Sequence, residues 1–354
     1  MSLSPFDHPL LSGLFADPEL AGLFSAESDI AAMMDFEVAL AAAQAEHDLI
    51  PARAADQIAA LGENFVLDMG ALRDGLGRDG VVAPDFVRQV RAALDADTAK
   101  YFHFAATSQD VIDTSLVIRL ASVCSILDAR TQDCIAVLAE LGERYGDRRI
   151  MGRTRMQDAL EISARERIHD WRAPLERHRI RLAELRPRLL MLQLGGAVGD
   201  NAKLGPRASA ISASAARRLG LGHGEKSWHN QRDSIVEFSS WLALVAGSLG
   251  KIGQDVALMS QNRLGEIVLA GGGGSSAMPH KSNPVAAEVL VALARYCAGG
   301  AGTMGQSMVH EQERSGAAWT LEWLVLPQLT MATGRALLLA QRLLGSIRAM
   351  GTQD

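Results

Sequence analysis

The chain has 354 residues, of which 48% are apolar and 21% charged, with a formal net charge of −6. That is ample material for a core, so intrinsic disorder is excluded, and 33 Gly with 11 Pro excludes a collagen-like or low-complexity chain. The negative balance points away from nucleic acid, although a local cluster of Arg and Lys can still focus a field on a small anion.

No Lys or Arg precedes Arg53, whereas a signal or transit peptide needs early positive charge, so the expected location is cytoplasmic. The longest run without a charged side chain, Tyr296 to His310, has fifteen residues, and a membrane span needs about 20, so no membrane role is expected. Cys124, Cys134 and Cys297 are odd in number and far apart, which supports neither a disulfide framework nor a cysteine zinc site.

The periodicity predicts an all-α fold. Aromatic residues are 5%, and alternating runs of Val, Ile and Thr are missing. Ser28 to Asp48 carries apolar residues at helical spacing and stops before Pro51. Shorter helices are predicted over Pro51–Leu61, Leu67–Leu76 and Pro84–Asp95, with a Gly-rich turn at Gly75–Gly80. Asp110 to Tyr145 reads as one long helix, and Thr107 with Asp110 forms a capping-box pattern at its start. Further long helices are predicted over Asp158–Arg186, Ser227–Arg263, Pro284–Gln312 and Trp319–Arg348. Such lengths without heptads predict a long-helix bundle, residues 97–354, behind a small N-terminal helical domain, residues 1–96.

Gly271 to Pro284, GGGGSSAMPHKSNP, is the segment richest in chemistry. Four glycines cannot hold a rigid backbone, and a Pro opens the next helix, which reads as a mobile lid. Between them stand two hydroxyls, a Lys and an Asn; Lys281 is one of only five Lys in the chain. Thr107 and Ser108 sit at a helix N-terminus, which favours an anion as well as a simple cap. No cluster has metal-ligand spacing and no GxGxxG or P-loop occurs, so neither a metal nor a cofactor is expected.

The loop GSSAMPHKSNP resembles the signature of the fumarase/aspartase superfamily. HFAATSQD (His103–Asp110) and GRTRMQDA (Gly152–Ala159) resemble its other two motif regions, in the expected order. TSQDVIDT, WHNQRDSIVEF and ERSGAAWTLEWLVLP are similar to the 3-carboxy-cis,cis-muconate cycloisomerases, a branch of that superfamily. The resemblance implies a mostly helical homotetramer with each site assembled from three subunits. It also implies a third, small C-terminal helical domain; the sequence given ends just after the fifth long helix, so that domain is expected to be either absent or cut off. The implied activity is cofactor-free closure of a small tricarboxylate to a lactone, as in protocatechuate degradation. An adenylosuccinate- or argininosuccinate-type lyase releasing fumarate is the first alternative, and a non-catalytic helical scaffold the second.

The resemblance makes Ser275 the proton-transfer group, with Lys281 and Asn283 stabilising the doubly negative intermediate. Substrate contacts then fall to His103, Thr107, Ser108, Thr154, Arg155, Gln157, Gln231, Arg232, Ser276, Met278 and Arg314. Arg155 separates the branches. Lyases of the superfamily have an acid His there and cycloisomerases commonly an aromatic residue. An arginine, with pKa above about 12, cannot protonate a leaving group. A lactone opened in reverse expels a carboxylate whose ordinary pKa is about 4, and such a group needs no acid to leave. Arg155 therefore suits a cycloisomerase, binding a carboxylate or pairing with Glu288, whose counterpart orients the acid His in lyases.

Overall fold

The long apolar periodicities become long helices in the computed structural model, which describes residues 4–62, 65–274, 278 and 281–352. The N-terminal part holds α1 (Ser12–Phe15), α2 (Pro18–Leu23), α3 (Ala26–Glu46), α4 (Ala52–Gly62), α5 (Met69–Asp79), α6 (Ala83–Ala93) and α7 (Ala96–Ala99). Next come α8 (Ser108–Tyr145), the strands β1 (Arg149–Thr154) and β2 (Gln157–Ser163), α9 (Ala164–Leu189) and α10 (Ala208–Leu219). The C-terminal part holds α11 (Asp233–Met259), β3 (Ile267–Leu269), α12 (Val285–Gly305), α13 (Gly316–Gly345) and β4 (Ile347–Met350).

The main core is built by α8, α9, α11, α12 and α13, which pack on one another. Its centre is fully buried Leu127 and Leu138 from α8, Leu175 from α9, Leu242, Val245 and Leu249 from α11, Leu290 from α12 and Leu337 from α13. The α11–α12 contact is close because α11 has glycines there. A Cβ on Gly253 would lie 2.7 Å from the Ala287 carbonyl oxygen and 2.8 Å from Leu290 Cβ. A second core joins α3–α6 to the first turns of α8, to α10 and to Trp319, around Phe36, Phe86, Phe102 and Val111.

Several boundaries differ from the sequence reading, each for a local reason. The helix predicted from Asp158 starts instead at Ala164, because Ser163 and Glu166 form a capping box: Ser163 N donates to Glu166 Oε2 at 2.8 Å. The preceding residues are strand β2, antiparallel to β1 from Arg149↔Ser163 to Thr154↔Gln157. Gly75 and Gly77 lie inside α5, and Gly80, left-handed at φ 72°, ends it. Ser227 to Gln231 stay outside α11, because their side chains and backbone close a loop described below. The end of the predicted last helix turns into β4, paired with β3.

α11, the stretch Val285–Met308 and α13 are each long and apolar enough to cross a membrane. None shows as a long uncharged run because charges interrupt each: Asp233, Glu237, Lys251 and Asp255 in α11, Glu288 and Arg295 in Val285–Met308, and Glu322, Arg335 and Arg342 in α13. In α11 and α13 more than half of the apolar stretch faces the core, whereas in Val285–Met308 only 28% does. The three cysteines are free and buried.

Candidate active site

The start of α8 is fixed by a buried carboxylate. Asp110 accepts the N–H of Thr107 at 2.9 Å, which closes the cap predicted from sequence. It also accepts Gly195 N at 2.8 Å, Gly196 N at 2.9 Å and Gln193 Nε2 at 3.0 Å, so the loop after α9 is tied to this helix end. Burial pushes the Asp110 carboxyl up to about 6, while those N–H donors pull the other way. Ser108 opens the helix and is half-buried.

His103 sits just before, in left-handed backbone at φ 57°. Its Nδ1 lies 2.5 Å from Glu37 Oε1, and Gln44 Nε2 donates to the next carbonyl, Phe104, at 2.7 Å. α3 thus pins the whole segment. Burial works to lower the His103 pKa, but the Glu37 carboxylate prevails and the value is raised.

One turn into α8, Gln109 and Asp113 meet residues far away in sequence. Arg232 is fully buried, with Nε donating to Glu322 Oε1 at 2.8 Å and Nη2 to Glu322 Oε2 at 2.5 Å. The other prong donates to Asp113 from Nη1 at 2.6 Å and from Nη2 at 3.2 Å. The guanidinium also lies over the Trp228 ring, 4.8 Å from its centroid. Trp319 Nε1 adds a bond to Asp113 Oδ1 at 3.0 Å. This corrects the assignment of Arg232 to substrate: its side chain is 0% exposed and is held by two carboxylates, so it braces the site from behind. Burial opposes its charge, yet the carboxylates raise its pKa.

Arg314 remains at the surface of this brace. Its Nε donates to Gln109 Oε1 at 2.9 Å and its Nη2 to the Ala197 carbonyl at 3.4 Å, and the residue is exposed. Next to it opens a cleft of about 770 Å³, walled by Leu194, Gly199, Asn201, Ser227, His229 and Gln231 among others. Of the residues nominated from sequence, Gln231 alone lines this cleft among the described residues.

The second motif region stands elsewhere. Thr154, Arg155 and Gln157 occupy the exposed tip of the β1–β2 hairpin. Arg155 (φ 49°) and Met156 (φ 67°) form its two-residue left-handed turn. Glu266 anchors the hairpin, accepting Arg153 Nη1 at 2.8 Å and Met151 N at 3.2 Å. Arg155 makes no ion pair with Glu288 among the described residues; Glu288 is exposed in the first turn of α12. The third region forms a further group: Lys281 and Met278 are exposed, and Asn283 pairs through its backbone with Gly273 at 2.8 and 2.9 Å. Ser275 and Ser276 lie outside the described residues.

Sequence reasoning missed Gln109, Asp113, Gln193 and Glu322. Only Asp113 left a signal, a carboxylate i+4 from Gln109 within the stretch TSQDVIDT. No group of three or more His, Cys, Asp or Glu suited to a metal occurs among the described residues.

Residues 15–299 match the family described as Lyase. The chain is 42% identical over 335 residues to the 3-carboxy-cis,cis-muconate cycloisomerase of Pseudomonas aeruginosa, covering 93% of this chain and 73% of that one. The solved 3-carboxy-cis,cis-muconate lactonizing enzyme of Pseudomonas putida superposes with a TM-score of 0.89 at 37% identity, over 96% of this chain and 77% of that one. A solved fumarate lyase from Mesorhizobium sp. BNC1 gives 0.89 at 34% identity, over 95% and 76%. With this helical bundle and these three motif regions, the chain belongs to the lyase family of the fumarase/aspartase superfamily.

Proposed function

We propose that the protein is a 3-carboxy-cis,cis-muconate cycloisomerase, acting on a small tricarboxylate without a cofactor. The observation that carries this reading is the 42% identity to such an enzyme along 93% of the chain. Arg155 supports it independently, because ring closure by a carboxylate needs no acid at that position.

In this reading one substrate carboxylate oxygen adds to an alkene carbon. The electron pair moves onto the carbon beside another carboxylate, as a doubly negative aci-carboxylate, and Ser275 delivers the proton there. Lys281 and Asn283 meet the developing charge with an ammonium and an amide N–H. Thr107, Ser108, Gln231 and Arg314 hold substrate carboxylates. Thr154, Arg155 and Gln157, with Ser276 and Met278, complete the site from other copies of the chain, and Glu288 orients groups at the base of α12.

Assembly from several copies into a homotetramer is part of the proposal. It is supported by the three separate places of the motif regions in one chain and by the uncovered apolar face of Val285–Met308. The similarity to a fumarate lyase keeps one second reading, fumarate release from a succinylated substrate.

The test is spectrophotometric. Wild type should consume the conjugated-diene absorbance of 3-carboxy-cis,cis-muconate, and Ser275→Ala should not. A folded tetramer inert on this substrate but releasing fumarate from a succinyl adduct would replace the cycloisomerase with the lyase.

A further inference from the structure

The cleft beside Arg314 contains a histidine whose protonation state is set by a chain of hydrogen bonds. His229 is 2% exposed and lies in the loop that leads into α11. Its Nδ1 is 2.8 Å from Ser227 Oγ. Ser227 Oγ accepts Gln193 Nε2 at 2.7 Å and the backbone N–H of His229 at 3.5 Å, which occupies both of its lone pairs. Its single O–H therefore points at Nδ1, which must accept. Gln193 cannot flip to change this, because its Oε1 accepts Trp228 N at 2.9 Å and its Nε2 also donates to Asp110 at 3.0 Å. An accepting Nδ1 leaves the ring proton on Nε2.

The Nε2 edge of the ring faces the cleft. A Cβ built on Gly199 would stand 3.1 Å from His229 Cε1 and 3.5 Å from Nε2, and both residues line the cavity. Gly199 has φ 85°, so its lack of a side chain and its conformation together keep that edge clear. Gln109 then couples this histidine to the arginine: its Nε2 donates to the His229 carbonyl at 2.8 Å and its Oε1 receives Arg314 Nε at 2.9 Å. Two donors, one cationic and one neutral, are thus tied to one buried amide, the imidazole on the cleft and the guanidinium at the exposed surface beside it.

We infer that His229 is a substrate-binding residue, a neutral imidazole donating Nε2–H to a ligand carboxylate beside Arg314. That the ligand is a tricarboxylate rests on the proposed function. The surroundings keep the ring neutral: burial first, then the Arg314 and Arg232 guanidiniums, lower its pKa, against Asp113 and Glu313, and His310 is also near. A neutral donor holds an anion without surrendering its proton, which leaves proton delivery to another group.

The test uses His229→Leu, which keeps bulk and removes the N–H, and His229→Gln, which keeps an N–H near the Nε2 position. Steady-state kinetics on 3-carboxy-cis,cis-muconate are measured beside calorimetric binding of tricarballylate, a non-reacting tricarboxylate. A hydrogen bond to a charged partner predicts that His229→Leu raises KM and the tricarballylate Kd about tenfold or more, with kcat little changed. His229→Gln should recover part of the loss, and thermal melting should not differ between the two variants. Equal KM in wild type and His229→Leu overturns the inference, as does a loss that the glutamine fails to relieve. Should wild type bind tricarballylate without turning over the muconate, a His229→Leu binding defect still supports this role while the cycloisomerase reading falls. Binding of neither compound overturns both.

Discussion

Replacing Arg232 by Met tests the electrostatic brace behind the candidate site. The substitution removes four hydrogen bonds, at 2.5 to 3.2 Å, and leaves Asp113 and Glu322 facing each other at 1% side-chain exposure. Asp113 keeps donors in Gln109 and Trp319, but Glu322 loses the guanidinium that opposes its burial. Breaking one side of a buried ion pair costs about 3–5 kcal/mol, mostly the uncompensated charge left behind. Burial already raises the Glu322 pKa, and the variant should raise it further. A carboxyl with a raised folded pKa binds its proton more tightly in the folded state. Its favourable contribution is present below the unfolded value of 4.5 and is lost as pH rises through the folded value. Arg232→Met should therefore lose about 3–5 kcal/mol at pH 8 and part of that at pH 5, read from urea denaturation followed by circular dichroism. Adding Asp113→Asn and Glu322→Gln should recover most of the loss, because neutral groups carry no such penalty. A single variant within about 1 kcal/mol of wild type at pH 8, or a triple variant no better than the single, would refute this electrostatic account.

Two further outcomes follow from packing and charge. His103 has a raised pKa against Glu37, so this pair stabilises the fold fully below the unfolded value of 6.5 and less as pH rises through the folded value. The stability gap between wild type and Glu37→Gln should shrink from pH 5.5 to pH 9; a gap independent of pH would remove His103 from the account. Gly253→Ala places a methyl 2.7 Å from the rigid Ala287 carbonyl. Overpacking of about 1–3 kcal/mol should exceed the gain of up to about 1 kcal/mol in helix propensity. A raised melting temperature would show that α11 and α12 can separate without cost.

The candidate site was readable in parts. The capping pattern Thr107–Asp110 is local and appears as expected, although Asp110 also recruits two glycine N–H groups from residues 195 and 196. Gln231, expected from its motif to contact substrate, lines the cleft. Arg232 was misjudged because a sequence shows a charge but not its partners: Asp113 is 119 residues away and Glu322 is 90. Residues 158–163 were misread as helix because their pairing partner is the preceding strand, while the Ser163–Glu166 capping box was a legible signal left unused.

The sequence by itself determined the all-α class, the five long helices and the family. These depend on periodicity, caps and contiguous motifs, all expressed within a few residues along the chain. Tertiary structure alone decided which charges are buried, which way each amide and imidazole faces, and which motif regions share a wall. Those properties belong to groups brought together across a hundred or more residues, and burial then fixes their partners because an unpaired polar group in the core is too costly to keep.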